Sequence, residues 1–436
     1  MTSTDRTTQI GLPAPALTAG TGALSTFTST IRLRLREPAK LRNLELLLLL
    51  FAFGIVGASI TLVELGALGA VQGPVLALGA VLGVIILVIH VALRFVASQA
   101  DPFILPVITL LNGLGIAEIY RLDIGKKYSG WEAAGVRQIA WTALAMLIAL
   151  AVLLLIRNHR VLQRYRYVAM FIGIVLLGYL VTARDSLSLV GRKVLGMRFP
   201  RVRDLGPILV IWLAAMAVLV FQHDLGMALL FFGLFLVMIY VATGRLSWVI
   251  LGLLLFVSGA LIASRVLGYV GGRFTSWLDA FNPKVYDAVG GSYQLVQGIF
   301  GLAHGGLIGT GWGQGSPGIV PLAESDYIIA SLGEELGLAG LFAILALYLL
   351  FVSRGFRIAF AGQDDFGRLL GVGFSFAIAL QVFIVLGGVT RVIPLTGLTT
   401  PFLAAGGSSL VANWIIAALL LRLSDSVRNQ PRLVVD

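Results

Sequence analysis

Apolar residues in this chain gather into long unbroken runs separated by short charged joints. Eleven such stretches can be marked, at about 44–62, 72–93, 103–120, 138–156, 167–182, 205–221, 225–242, 246–264, 328–353, 368–388 and 402–421. A helix crosses a hydrocarbon layer with about 20 apolar residues, so most of these runs are long enough to span. The runs at 44–61, 141–156 and 205–221 are continuous and do not alternate in polarity, which argues against a transmembrane barrel. The expected fold is all-α: a polytopic helical membrane protein of about ten transmembrane crossings with a large Gly-rich extracytoplasmic loop.

Charge position turns eleven stretches into ten crossings. Arg32, Arg34, Arg36, Lys40 and Arg42 put the N-terminus on the cytoplasmic side, and Arg422, Arg428 and Arg432 put the C-terminus there too. An even number of crossings is then required. Stretch 167–182 has basic residues before it (Arg157, Arg160, Arg164, Arg166) and after it (Arg184, Arg192, Lys193, Arg198, Arg201, Arg203), so it is expected not to cross. The expected organisation is a disordered basic cytoplasmic tail at 1–43 and two N-terminal helices at 44–100. A first core part follows at 101–264, then an extracytoplasmic loop at 265–327, three last core helices at 328–423 and a cytoplasmic tail at 424–436.

Composition agrees with a membrane solvent. Hydrophobic residues make up 58% and charged residues only 12% of 436, with a mean hydropathy of +0.95. The net charge of +11 lies in the joints between apolar runs and not along one face, so it reports topology and lipid contact and argues against nucleic-acid binding. The absence of cysteine excludes disulfides, thiolate metal sites and cysteine nucleophiles. His90, His159, His223 and His304 form no ligand pattern, so a metal ion would have to be held by carboxylates.

The loop at 265–327 carries most of the candidate chemistry. Eleven glycines fall between Gly290 and Gly318, and Asp279, Asp287, Glu324, Asp326, Glu334 and Glu335 lie at or near one membrane surface. A carboxylate on a Gly-flanked loop can swing onto a substrate and serve as general base, and Asp287, just before Gly290-Gly291, fits that role best. It could equally be a solvated loop acid. Glu334 and Glu335 open an apolar stretch, where one would suit a helix N-terminus and the other would face a cavity. Segment 391–410 holds Pro394, Pro401, Gly397, Gly406 and Gly407, and reads as a broken element whose Gly406-Gly407-Ser408-Ser409 opens the last helix. A head group could dock there, or the break could belong to a transporter.

The order of these motifs resembles the SEDS family, the RodA/FtsW/SpoVE glycosyltransferases. Gln222-His223-Asp224-Leu225-Gly226, Ser325-Asp326-Tyr327-Ile328, Gly333-Glu334-Glu335-Leu336-Gly337 and Pro394 to Ser409 are similar to its signatures and follow its order. Arg137-Gln138 and Trp141 match another family position, and 396–401 looks closer to RodA than to FtsW. The resemblance covers about 101–423, leaving the two N-terminal helices as a branch-specific extension.

The resemblance implies a peptidoglycan glycosyltransferase that polymerises lipid II outside the cytoplasmic membrane, with a RodA-like part in elongation and cell shape. The family's essential aspartate falls on Asp287. The implied reaction is an inverting displacement: Asp287 takes the proton of an acceptor hydroxyl as that oxygen attacks the donor's anomeric carbon and lipid diphosphate leaves. Arg137, Gln138, Gln294, Asp326, Glu334, Arg391, Ser408 and Ser409 are the expected substrate-binding residues. Arg391, Arg137 or a carboxylate-held divalent cation could offset the leaving charge, and a class B penicillin-binding protein is the implied partner. Ala404, His223 and Ser292 depart from the family's residues, and 282–286 carries extra residues. A family loop and helix find no counterpart at 180–204. A catalytically impaired relative that scaffolds a cell-wall synthase, or a lipid-linked precursor transporter, is the alternative function.

Overall fold

The computed structural model describes residues 38–156, 223–362 and 364–429. These are helical, with no strand among the described residues. Nine helices there are long and apolar enough to cross a membrane. They are α1 (Pro38–Leu68), α2 (Pro74–Val96), α3 (Ile104–Lys126), α4 (Ala134–Leu155), α5 (Leu225–Thr243) and α6 (Leu246–Val266). After the loop come α10 (Ile328–Ala361), α11 (Asp365–Val389) and α12 (Gly407–Arg428). Each coincides with one of the apolar stretches. The stretches at 167–182 and 205–221, the unmatched region 180–204 and the two tails before 38 and after 429 lie outside the described residues.

Polarity sorts the spans into layers. The two least apolar, α3 and α12, are also the two most buried, whereas α6 is strongly apolar and buries none of its residues. Lipid offers no hydrogen bonds, so polar side chains are tolerated only on helices that face protein. Helix α3 is the hub, packed by α1, α4, α10 and α12. Its buried polar groups tie it outward: Asp123 accepts from the amides of Ala134 and Gly135 (2.9 and 2.6 Å) and so caps α4. Asn112 donates to the carbonyl of Phe402 at 3.0 Å.

The two ends of the bundle differ. At one end arginines close the helix termini: Arg42 pairs with Glu45 at 2.6 Å, Arg428 with Asp101, and Arg422 donates to the carbonyls of Val96 (2.6 Å) and Leu153. At the other end lies the segment between α6 and α10, which is not a plain loop. It holds α7 (Gly268–Leu278), the single turn α8 (Pro283–Tyr286) and α9 (Tyr293–Gly305). Ala280, Leu295 and Val296 form a small core beneath it, with Tyr286 and Ile299 against them.

Helix α10 is broken. Gly337 has φ 67° and ψ −173°, a left-handed-side conformation that a residue with a Cβ resists. The chain after α9 fills the break: the amides of Thr310 and Gly311 donate to the carbonyls of Glu334 and Glu335 (3.0 and 2.9 Å), and those of Leu338 and Ala339 donate to Gly306 and Leu307 (3.0 Å each). Four backbone groups that a helix would have paired with each other are paired with the loop, so the break leaves none of them orphaned.

Candidate active site

Asp287 ends the turn of α8, and its carboxylate is exposed with no side-chain partner among the described residues. The turn that displays it is held from several sides. Asn282 caps α8 by accepting from the amide of Lys284 (3.1 Å), and Ser292 donates to the carbonyl of Ala280 (2.5 Å). Gln297 donates to the Tyr286 hydroxyl at 2.8 Å, and Gln294 to the carbonyl of Pro321 at 2.7 Å. Asp287 is thus a free acid on a fixed platform. Asp279 is likewise exposed and unengaged among the described residues.

The other carboxylates are spent on structure. Glu334 and Glu335 do not open α10 but sit at its break, both buried. Glu334 accepts from the amide of Ser316 (2.8 Å). Glu335 accepts from Arg121 (2.9 Å) and from the amide of Gly313 (2.9 Å). Glu118 beside them accepts from the Ser331 hydroxyl. Neither Glu334 nor Glu335 meets the expectation of a cavity-facing acid. Glu324 pairs with Lys126 at 2.7 Å, and Asp224 caps α5 by accepting from the amide of Met227 at 2.9 Å.

Asp326 lies against Gly397, and burial pushes its carboxyl above the usual carboxylate range. Its hydrogen bond to Ser325 and the charge of Arg273 oppose that rise, while Asp224 and Glu324 add to it. Arg391 is committed as well. Its guanidinium donates to the carbonyls of Trp277 and Leu278 (2.7 Å each), stands over the Phe281 ring and so closes the C-terminus of α7. Arg137, by contrast, is exposed with no side-chain partner among the described residues.

Segment 391–406 is non-helical, buried at 398 and 400–404 and mostly half-buried elsewhere. Its carbonyls are taken one after another by side chains of α7 and the spans: Leu395 by Arg273 (3.0 Å), Thr399 by Gln381 (2.8 Å), Pro401 by Tyr348, Phe402 by Asn112 and Ala404 by Gln138 (3.1 Å). Gln138 also accepts from the amide of Gly406 at 3.4 Å. Sequence reasoning missed Gln381, Tyr348, Asn112 and Arg273 here. The signal was present for two of them, as an isolated amide side chain inside an apolar run. The segment delivers the N-terminus of α12, which no side chain caps. Ser408 there is exposed, and Ser409 accepts from Asn413 at 3.3 Å. Trp141, one turn beyond Arg137 on α4, packs its ring against Gly407.

Among the described residues no three acidic or histidine side chains converge as a metal site.

The family model FTSW_RODA_SPOVE, described as cell cycle protein, matches residues 187–429. The chain belongs to this family. The match begins inside the 180–204 stretch in which the motif reading finds no counterpart, and it leaves α1 to α4 outside. Among its relatives the chain is 40% identical to the peptidoglycan glycosyltransferase RodA of Mycobacterium tuberculosis over 435 residues, 90% of this chain and 92% of the relative. Two solved folds agree. A chain of a peptidoglycan synthase complex that coordinates polymerization and crosslinking superposes with TM-score 0.59 at 24% identity, covering 76% of this chain and 99% of that one. The rod shape determining protein RodA of Thermus thermophilus does so with TM-score 0.50 at 22% identity over 77% and 99%. The likeness to both shows the all-helical membrane fold.

Proposed function

We propose that this chain is a peptidoglycan glycosyltransferase that polymerises lipid II into glycan strands for cell elongation and shape, as the likeness to RodA supports. The observation that carries the reading is the free carboxylate of Asp287, held on a fixed turn where nearly every neighbouring acid is engaged. Asp279 shares that freedom, and the family spacing before Gly290-Gly291-Ser292-Tyr293-Gln294 favours Asp287.

In the proposed reaction the acceptor sugar hydroxyl gives its proton to Asp287 while its oxygen bonds to the donor's anomeric carbon. The bond from that carbon to the diphosphate breaks, and the lipid diphosphate leaves with its electron pair. Arg137 suits the leaving charge better than Arg391, whose guanidinium is already bonded to backbone carbonyls. The uncapped start of α12 with Ser408 and Ser409 offers amides and hydroxyls beside it, positioned by Gln138. Asp326 and Gln294 are assigned to acceptor contacts, and Glu334 to holding the loop through Ser316.

The loop end of the bundle is assigned to the outer face of the cell membrane and the arginine-rich end, with both termini, to the cytoplasm. A class B penicillin-binding protein that crosslinks the new strand is the proposed partner. Five carbonyls of the broken segment 391–406 are engaged by side chains, which favours a fixed wall over a transporter's open midplane site. The test is purified protein given lipid II. Polymer is expected, and labelled lipid II crossing vesicles without polymer would overturn the reading.

A further inference from the structure

The helices α1 and α2 precede the family match, yet they reach the loop end through three residues of α1. Glu64 is fully buried and accepts from the amides of Gln72 and Gly73 (3.0 and 3.3 Å) and from the Tyr120 hydroxyl (3.2 Å), locking the α1–α2 turn to α3. Two residues on, Gly66 meets the loop backbone directly. A Cβ there would lie 2.2 Å from the carbonyl oxygen of Trp312, and one on Gly313 would lie 2.8 Å from the amide nitrogen of Ala67. Gln314 donates to the carbonyl of Gly66 at 3.2 Å. Two backbones therefore touch with no side chain between them.

The loop residues touched follow directly on those that fill the break of α10, and the stretch they open is bonded to the acids and the arginine beside that break. Gly313 donates to Glu335, the carbonyl of Gly315 accepts from Arg121 at 2.7 Å, and Ser316 donates to Glu334. The chain then makes a short turn at Pro317–Ile319 and reaches Pro321, whose carbonyl holds Gln294. Gln294 lies in the first turn of α9, directly after the turn that carries Asp287. A continuous path of hydrogen bonds and backbone contact thus runs from α1 to the proposed base.

We propose that the α1–α2 pair is a brace that positions the Asp287 turn through residues 312–321, with Gly66 as its positioning residue. The role of the turn in catalysis rests on the function proposed above, whereas the mechanical link does not. Reacting groups displaced by about 1 Å can lose on the order of 10²-fold in rate, so a brace far from the chemistry has leverage over kcat.

The chain has no cysteine, so Val289→Cys, at a fully exposed position two residues after Asp287, gives a lone site for a nitroxide label. Leu155→Cys, at the arginine-rich end, gives a second label in a separate protein as control. Adding Gly66→Leu should mobilise the label at 289 and leave that at 155 unchanged. On lipid II, kcat should fall about 10- to 100-fold with KM little changed. Gln314→Ala should shift both readouts the same way by less, and serves if Gly66→Leu does not fold. An unchanged label at 289 in a folded variant overturns the brace, as does equal loosening at 155, which would mean general destabilisation. Unsubstituted protein that makes no polymer would instead overturn the proposed function, and the label would still decide the brace.

Discussion

Two groups of acids sit at the loop end of this bundle, and they are used in opposite ways. At the break of α10, Glu334 and Glu335 are buried and each accepts from loop amides or Arg121, so that loop and helix are held together. On the turn after α8, Asp287 is exposed and unengaged while the backbone around it is fixed by Ser292, Gln294 and Gln297. Acids gathered at one end of the bundle therefore need not share a job. A buried carboxylate engaged by internal donors is committed to holding them and is shut off from a substrate, whereas a free one on an exposed, rigid turn can take a substrate proton.

The comparison breaks most forcefully at Glu335. Glu335→Gln leaves Arg121 without its buried counter-charge and should cost about 3–5 kcal/mol, read as a large drop in melting temperature. A melt within experimental error of wild type would remove the structural role. Next is Gln381→Leu, which orphans the carbonyl of Thr399 and should cost about 1–3 kcal/mol in the same measurement.

Asp326 sharpens the contrast through pH. Its folded pKa is raised mainly by burial, so its ionised form costs stability above that pKa, and the cost disappears as pH falls below the unfolded value of about 3.9. Asp326→Asn should therefore raise the melting temperature at pH 8, and the gain should vanish toward pH 3. A gain independent of pH would contradict the assignment. The smallest effect is expected at Asp279, the other exposed acid, where Asp279→Asn should change stability by less than about 0.5 kcal/mol and leave polymerisation at the wild-type rate.

The spans were legible because lipid imposes a simple rule on composition, and all nine described ones fall on apolar runs. What sequence could not show was how a polar residue inside a run is satisfied. Gly337 sits in an apolar helix as Gly371 and Gly373 do, yet only the inserted loop at 306–311 reveals it as a break. Arg391 looked like a free cation for a leaving group because the carbonyls it serves, at Trp277 and Leu278, are more than a hundred residues away. The helix α7 inside the loop escaped notice because its glycines and short length blur the periodicity. The start of α12 at Gly406-Gly407-Ser408-Ser409 was readable, since glycine and serine there mark a helix opening.

The most direct measurement is the rate at which purified Asp287→Asn polymerises lipid II, taken beside its melting temperature. Asp287 is exposed and unengaged, so the melt should match wild type while the rate falls by about 10²–10⁴-fold, the range a lost general base commands. A folded Asp287→Asn that builds glycan at the wild-type rate would contradict the account.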